Sequence, residues 1–136
     1  MAEAAQLRKR SDGIYDDRLT KLPEATYGHA LEHFLKFRNE PARTVVIATK
    51  NRDLRPNGEA RTRLAQAYFK AGRVNDAKNE ILTVMNSKWV SAESYATAAV
   101  VLRASDRRAS TAFEARAVAL DAHVMDEIDW LSPSRT

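Results

Sequence analysis

The sequence predicts an all-α protein, and three observations support this prediction. Alanine is abundant, whereas runs of β-branched residues are short, which favours helix over strand. Only four glycines and four prolines interrupt the 136 residues. Apolar residues recur at three- and four-residue steps, the spacing that places side chains on one face of a helix. We therefore expect one helical domain of ordinary size.

The first helices are predicted to follow a polar N-terminal arm, residues 1–22, which we expect to be loosely held. Pro23 stands where helices accept proline, in the first turn. Helical spacing then continues to about Arg38. Pro41 restarts the chain, and a second helix is expected to end near Asn51. The apolar stripe of the first helix consists of Tyr27, Ala30, Leu31, Phe34 and Phe37.

The central stretch, Gly58 to Trp89, is predicted to be two amphipathic helices joined at a glycine. Asn57 is a plausible N-cap for the first of them. Gly72 should end that helix, because glycine adopts the left-handed C-cap conformation without a Cβ clash. We expect Asn75 to cap the second helix. The two apolar stripes are Ala60, Leu64, Ala67, Tyr68 and Ala71, and then Ala77, Ile81, Val84 and Met85.

A third pair of helices is expected from Ser91, a good N-cap. Its first helix should run to about Ala104, and an alanine-rich second helix from about Arg108 to Met125. Residues 126–136 form an acidic and aromatic tail. We expect this tail either to cap the last helix or to dock in a groove of its own chain or of a second copy.

The central stretch resembles a repeat of the tetratricopeptide (TPR) family. That family's pattern is a leucine and a small residue, an aromatic residue, then a small residue and a large apolar residue. The matching residues are Leu64, Ala65, Tyr68, Gly72, Ala77 and Ile81. Two positions depart from the pattern, since Arg61 stands where the family usually has tryptophan and Trp89 where it often has proline.

A shift by the family's period of about 34 residues tests whether neighbouring segments repeat the pattern. The first-helix residues of the central stretch, Leu64, Ala65 and Tyr68, align with similar residues on both sides. These are Ala30, Leu31 and Phe34 upstream, and Ala98, Ala99 and Leu102 downstream. Tyr27 and Tyr95 align with Arg61, so both neighbours are aromatic there.

The resemblance implies three hairpins, about 23–56, 57–90 and 91–125, stacked as a short right-handed solenoid. It also implies that the first helices line a concave groove that binds a peptide or a helix of a partner protein. The implied groove residues are His29, Glu32, Arg63, Gln66, Phe69, Lys70, Val100 and Arg103. Some family members hold a C-terminal carboxylate with a basic clamp, and only Arg63 fits that clamp here, so we do not expect one.

The net charge of +4 is unevenly distributed. Arginine and lysine dominate residues 43–73, where the only acids are Asp53 and Glu59, while acids cluster near the C-terminus. This asymmetry suggests an acidic partner or head-to-tail self-association, although a well-solvated surface explains it equally well. Nucleic-acid binding through residues 43–73 is an alternative. Single-strand binding would need aromatic side chains on that surface, and only Phe69 is left for it.

Candidate chemistry is limited to one string, His29-Ala30-Leu31-Glu32-His33, which matches the H-x-x-E-H motif of inverted zinc peptidases. Histidines four residues apart share a helix face. The match covers five residues only, and neighbouring apolar residues already fit the repeat, so we expect a partly exposed, solvated histidine pair without metal. The sequence contains no cysteine and no glycine-rich phosphate loop. We expect a non-enzymatic adaptor or scaffold without a cofactor.

Localisation is predicted from two further features. No apolar run approaches the length that spans a bilayer, and the N-terminus has no apolar segment of a secretory signal. We therefore expect a cytoplasmic protein that does not bind membranes. Small TPR proteins also serve as assembly chaperones of bacterial secretion systems, and this role stays open as a further alternative.

Overall fold

The structure is a computed structural model that describes residues 23–132, with side chains from position 28 onward except that of His29. Within this range the chain forms seven α-helices and one 3-10 turn, and no strand. The prediction of an all-α protein is confirmed. The helices are α1 Pro23–Phe37, α2 Pro41–Leu54, α3 Gly58–Lys70, α4 Val74–Met85, α5 Ala92–Leu102, α6 Arg107–Leu120 and α7 Val124–Glu127, and the 3-10 turn is Asp129–Leu131. The predicted N-terminal arm lies outside the described residues.

Helices α3 and α5 begin at the caps that the sequence predicts. The Asn57 carboxamide oxygen accepts a hydrogen bond from the Ala60 N–H at 2.8 Å. Ser91 and Ser94 form a reciprocal capping box, in which each side chain accepts from the other residue's backbone N–H. Both caps satisfy donors that the first helical turn would leave free.

The end of α3 is a Schellman motif. Gly72 has φ 78°, and its N–H donates to the Phe69 carbonyl at 3.1 Å. The Arg73 N–H donates to the Tyr68 carbonyl at 2.9 Å, which completes the motif. The chain therefore enters α4 immediately at Val74, and the side chain of the cap residue Arg73 makes no capping hydrogen bond. The prediction that Asn75 caps α4 is wrong, because Asn75 already lies inside the helix.

The predicted single helix from about Arg108 to Met125 is also wrong. Helix α6 ends at Leu120, and Asp121 has an extended backbone with φ −149° and ψ 107°. The Asp121 carboxylate accepts a hydrogen bond from the His123 N–H at 3.0 Å, which closes a tight turn. This turn redirects the chain, so that α7 packs back against α5 and α6.

The helices pack in chain order. Each helix from α1 to α6 contacts the next, and the alternate helices α1, α3 and α5 also contact one another in sequence. Three buried clusters lie between them. The first joins α1, α2 and α3 through Leu31, Phe34, Leu35, Val45 and Leu64. The second joins α3, α4 and α5 through Ala65, Ala77, Ile81, Ala98 and Val101. The third joins α5, α6, α7 and the 3-10 turn through Ala96, Val100, Ala117, Val124, Ile128 and Leu131.

Tyr68 connects two of these clusters, as the sequence predicts for an aromatic residue between neighbouring helices. Its ring is half-buried against the first and second clusters. The Arg73 guanidinium lies 4.6 Å from the ring centroid, on the same hairpin. The ring is thus covered by a cation on its solvent side.

Candidate interaction surface

The alternate helices α3 and α5 form a surface that the end of the chain covers. We call Val124–Leu131 the C-terminal segment; it comprises α7 and the 3-10 turn. Helix α7 contacts α5, and the 3-10 turn contacts α3. Under the segment lie Ala96 and Val100, which are buried, and Phe69, which is half-buried. The described part of the predicted tail, residues 126–132, therefore lies across helices that were expected to line a groove.

The C-terminal segment is amphipathic. Its apolar residues follow the one-, four- and seven-residue steps that place side chains on a single helix face. All of these are buried: Val124, Met125, Ile128 and Leu131. The acids of the segment point to solvent: Asp126, Glu127 and Asp129. The segment buries one face on α3, α5 and α6 and presents negative charge outward.

Trp130 extends the contact toward the first cluster. It is half-buried and packs against both the first and the third clusters. The Lys70 ammonium lies 5.5 Å from the ring centroid, within the range of a cation–π interaction. The same ammonium donates a hydrogen bond to the Leu35 carbonyl at 2.5 Å. Lys70 is exposed as a residue, but partial burial of its ammonium group lowers the pKa of Lys70, since desolvation disfavours the charged form.

Gln66 and Arg63 bind α5 rather than facing a free groove. Gln66 is fully buried, and its amide nitrogen donates to the Thr97 hydroxyl at 3.0 Å. The Arg63 guanidinium donates to the Glu93 carboxylate at 3.0 Å and more weakly to the side-chain amide oxygen of Gln66 at 3.4 Å. These polar contacts join α3 to α5. The Gln66 amide is thus used inside the fold, and the expectation that Gln66 meets a partner stays a prediction.

The remaining predicted groove residues lie outside the area that the C-terminal segment covers. Glu32 is exposed on α1 and accepts a hydrogen bond from Lys36 at 2.7 Å. Arg103 follows α5 and lies 3.8 Å from the Glu114 carboxylate on α6. The His29 side chain is outside the described residues. The structure thus brings Phe69, Lys70 and Val100 together under the C-terminal segment, and places Glu32 and Arg103 in ion pairs.

His33 is not the partly exposed, solvated histidine that the sequence predicts. His33 is only 7 % exposed, and its ring centroid lies 5.6 Å from that of Phe37 and 6.3 Å from that of Phe34. An imidazole at this position packs as part of the aromatic end of α1. The described residues contain no group of three or more histidine, aspartate or glutamate side chains that could hold a metal ion.

Much of the positive charge in residues 43–73 is paired within the fold. Glu80 on α4 accepts hydrogen bonds from Arg61 at 3.1 Å and from Arg52 at 3.4 Å. Arg73 donates to Asp76 at 2.8 Å. A hydrogen bond to the adjacent Asp53 raises the pKa of Arg52. Arg61, which stands where the TPR pattern has tryptophan, therefore joins the helices by an ion pair instead of by an aromatic ring.

Sequence reasoning missed the environment of Trp89. This side chain is 49 % exposed and lines an open pocket with Glu59 and Glu93 at the N-terminal ends of α3 and α5. Its backbone is held by the Ser87 hydroxyl, which accepts from the Trp89 N–H at 3.0 Å. The only signal in the sequence was the departure from the proline of the TPR pattern.

Comparisons with family models, curated proteins and solved structures find no match to this chain. Among the described residues, no helix is both long and apolar enough to cross a bilayer. The relationship to the TPR family therefore stays a prediction from the sequence.

Proposed function

We propose that this chain is a TPR-like helical-repeat protein that binds a short helix or peptide of a partner protein on the surface of its alternate helices. One observation carries the proposal: α3 and α5, together with α6, already hold a short amphipathic segment made of the four-residue helix α7 and the 3-10 turn. A surface that buries the apolar face of one such helix has the shape and chemistry to bind another. The role is non-enzymatic, that of an adaptor or scaffold.

The packing of the helices supports the TPR-like part of this proposal. Helices α1 to α6 form consecutive hairpins, and the alternate helices contact one another along the stack. Ala65 on α3 and Ala77 on α4 are both fully buried in one cluster, as expected where two helices approach closely. Gly72 takes the left-handed conformation that joins them. These features match the stacking logic of a helical solenoid, in which each unit buries its neighbour.

The pairing of the basic residues favours a protein partner over nucleic acid. Arg52, Arg61 and Arg63 each bind a carboxylate of this chain. A guanidinium committed to an internal carboxylate neutralises fewer phosphates, and phosphate neutralisation supplies most non-specific nucleic-acid affinity. A secretion-system assembly chaperone would be one case of the proposed function, since a chaperone of that kind also binds a segment of its client.

Site-specific photo-crosslinking tests the proposal. A benzophenone amino acid is placed at position 32, an exposed site on α1, and in a matched variant at position 50, an exposed site on α2. Each variant is irradiated in a lysate of its source cells, with and without nuclease. We expect a discrete protein adduct at position 32 that survives nuclease and is absent at position 50. Adducts that disappear with nuclease, or equal labelling at both positions, would reject a partner-protein site on the alternate helices.

A further inference from the structure

We infer that the C-terminal segment is an internal ligand that closes the binding surface, and that the external partner presents a short amphipathic helix of the same apolar pattern and displaces it. The inference rests on the proposed function and deepens it, since it identifies both the partner's chemistry and the control of access.

The segment itself defines the chemistry of the partner helix. Its buried residues are spaced to form one apolar face, and Trp130 adds an aromatic side chain against Lys70. Small apolar side chains form the centre of the surface that receives them. Ala96 is fully buried there, and Val100 is nearly so. A cation, Lys70, lies at the edge of this surface beside the Trp130 ring. A partner helix should therefore combine an apolar face with a terminal aromatic residue.

The segment is held in a way that permits displacement. Among the described residues, no hydrogen bond or salt bridge joins Val124–Leu131 to α3 or α5, and the backbone bonds of the segment stay within it and its preceding turn. The contact consists of apolar packing and the one cation–π interaction with Lys70. The indole N–H of Trp130 is buried without a hydrogen-bond partner in the described part of the chain. Such a donor regains a partner when the segment leaves, which favours release.

The surface beneath the segment has its own support. Gln66 and Arg63 bind Thr97 and Glu93 across the junction of α3 and α5. These bonds do not involve the segment, so the two helices keep their spacing when it is displaced. The open state is then a preformed binding surface rather than an unfolded one, which lowers the ordering cost of binding a partner.

Hydrogen exchange in the full chain tests whether the segment opens on its own. Local opening exchanges amides without global unfolding. The amides of Ile128 and Leu131, both bonded within the segment, should exchange at least tenfold faster than the interior amides of α5. Equal rates in the segment and in α5 would show that the segment leaves only when the domain unfolds, and this result would overturn the inference.

Peptide binding tests whether the vacated surface accepts a helix of this chemistry. The probe is a fluorescent peptide with the sequence of residues 121–136, titrated into three full-length proteins: the natural chain, Ile128→Asp and Asp126→Asn. Ile128 is buried against α5, whereas Asp126 is exposed on the same segment. We expect Ile128→Asp to bind the peptide at least tenfold more tightly than the natural chain does, and Asp126→Asn to resemble the natural chain.

Every other outcome is informative. A folded Ile128→Asp protein that binds no better than the natural chain would overturn the inference, and so would an Ile128→Asp protein that does not fold, since the segment would then be a structural element. A concentration-dependent dimer of the natural chain that Ile128→Asp abolishes would assign the surface to a second copy instead of to a foreign partner. Tight peptide binding by Ile128→Asp without any protein adduct at position 32 would support the segment as an internal ligand. The same result would reject the proposed function.

Discussion

The backbone of Gly58 lies directly against Trp89. A Cβ atom at position 58 would stand 2.3 Å from the Trp89 Cβ and 2.6 Å from its carbonyl oxygen. Gly58 is the first residue of α3, and Trp89 belongs to the loop before α5. This contact therefore sets how closely the loop before α5 approaches the start of α3.

The first prediction concerns this contact. Gly58→Ala should destabilise the protein by about 1–3 kcal/mol, because the loop or the helix must move to make room for the methyl group. Gly28→Ala is the matched control, since a Cβ there meets nothing within 4 Å and Gly28 lies in the interior of α1. That control should stabilise the protein by about 0.5–1 kcal/mol. Urea unfolding measures both, and a neutral Gly58→Ala would mean that the loop yields without cost.

The second prediction concerns the buried hydrogen bond between Gln66 and Thr97. Thr97→Val removes the acceptor and leaves the buried Gln66 amide unsatisfied, at a cost of about 1–3 kcal/mol. Adding Gln66→Leu should restore part of the loss, because both polar partners are then gone. Thr111→Val is the control. Both threonines donate to the backbone carbonyl four residues earlier, but Thr111 is exposed. Its effect should stay within about 0.5 kcal/mol, and an equal loss at positions 97 and 111 in chemical denaturation would contradict the argument.

The third prediction concerns Glu80, whose side chain is only 12 % exposed and binds two arginines. Glu80→Ala leaves both guanidinium groups partly buried without this carboxylate. About a quarter of each arginine side chain is exposed, which screens the charge. We therefore expect a loss of about 1–3 kcal/mol, less than for a fully buried pair.

The matched control for Glu80 is Asp76→Ala on the same helix. Asp76 pairs with Arg73, and both side chains are about half exposed. An exposed pair contributes about 0–1 kcal/mol. Thermal unfolding of the two variants at low and high salt separates them, and equal losses would show that Glu80 does not join the helices as its contacts indicate.

The fourth prediction concerns pH. Burial lowers the pKa of Lys70 below its usual value of 10.5. The folded state then binds fewer protons at this site than the unfolded state does, so stability should rise as pH increases from the lowered pKa toward 10.5. Lys70→Met keeps the alkyl chain and removes the titration. As pH rises over that range, the unfolding free energy of the natural chain should increase relative to that of Lys70→Met. A difference that stays constant up to pH 10.5 would contradict the assigned direction.

The helices and most of their ends could be predicted from the sequence, because those features depend on local chemistry. Gly72 and Asn57 act within four residues of their own positions, so their roles are visible in the chain itself. Asn75 failed as a cap because the Schellman motif at Gly72 delivers the chain into α4 before Asn75 is reached. Alanine and apolar periodicity continue past Asp121, so the break there depends on a single side-chain hydrogen bond that periodicity does not register.

The candidate surface could be predicted only in part. Repeat register placed Phe69 and Val100 on the face that the C-terminal segment covers. Register could not show that Gln66 is satisfied by Thr97, because that partner lies 31 residues away and is chosen by the packing of α3 on α5. The same holds for Arg63 and Glu93, which are 30 residues apart. A residue that the repeat pattern assigns to the groove can bind a partner only if its side chain is not already bonded to a neighbouring helix.

The short turn between Leu120 and Val124 raises the concentration of partner that is needed to displace the C-terminal segment. It tethers the C-terminal segment to α6 by residues 121–123 alone. A short tether gives a segment an effective concentration on the order of millimolar at its own binding surface. A free helix of equal intrinsic affinity would have to reach about that concentration to occupy half of the molecules, since the apparent affinity falls with the fraction that is open. The surface would therefore respond to a tighter binder, or to one displayed in many copies on an assembled structure, and would ignore sparse helices of similar sequence.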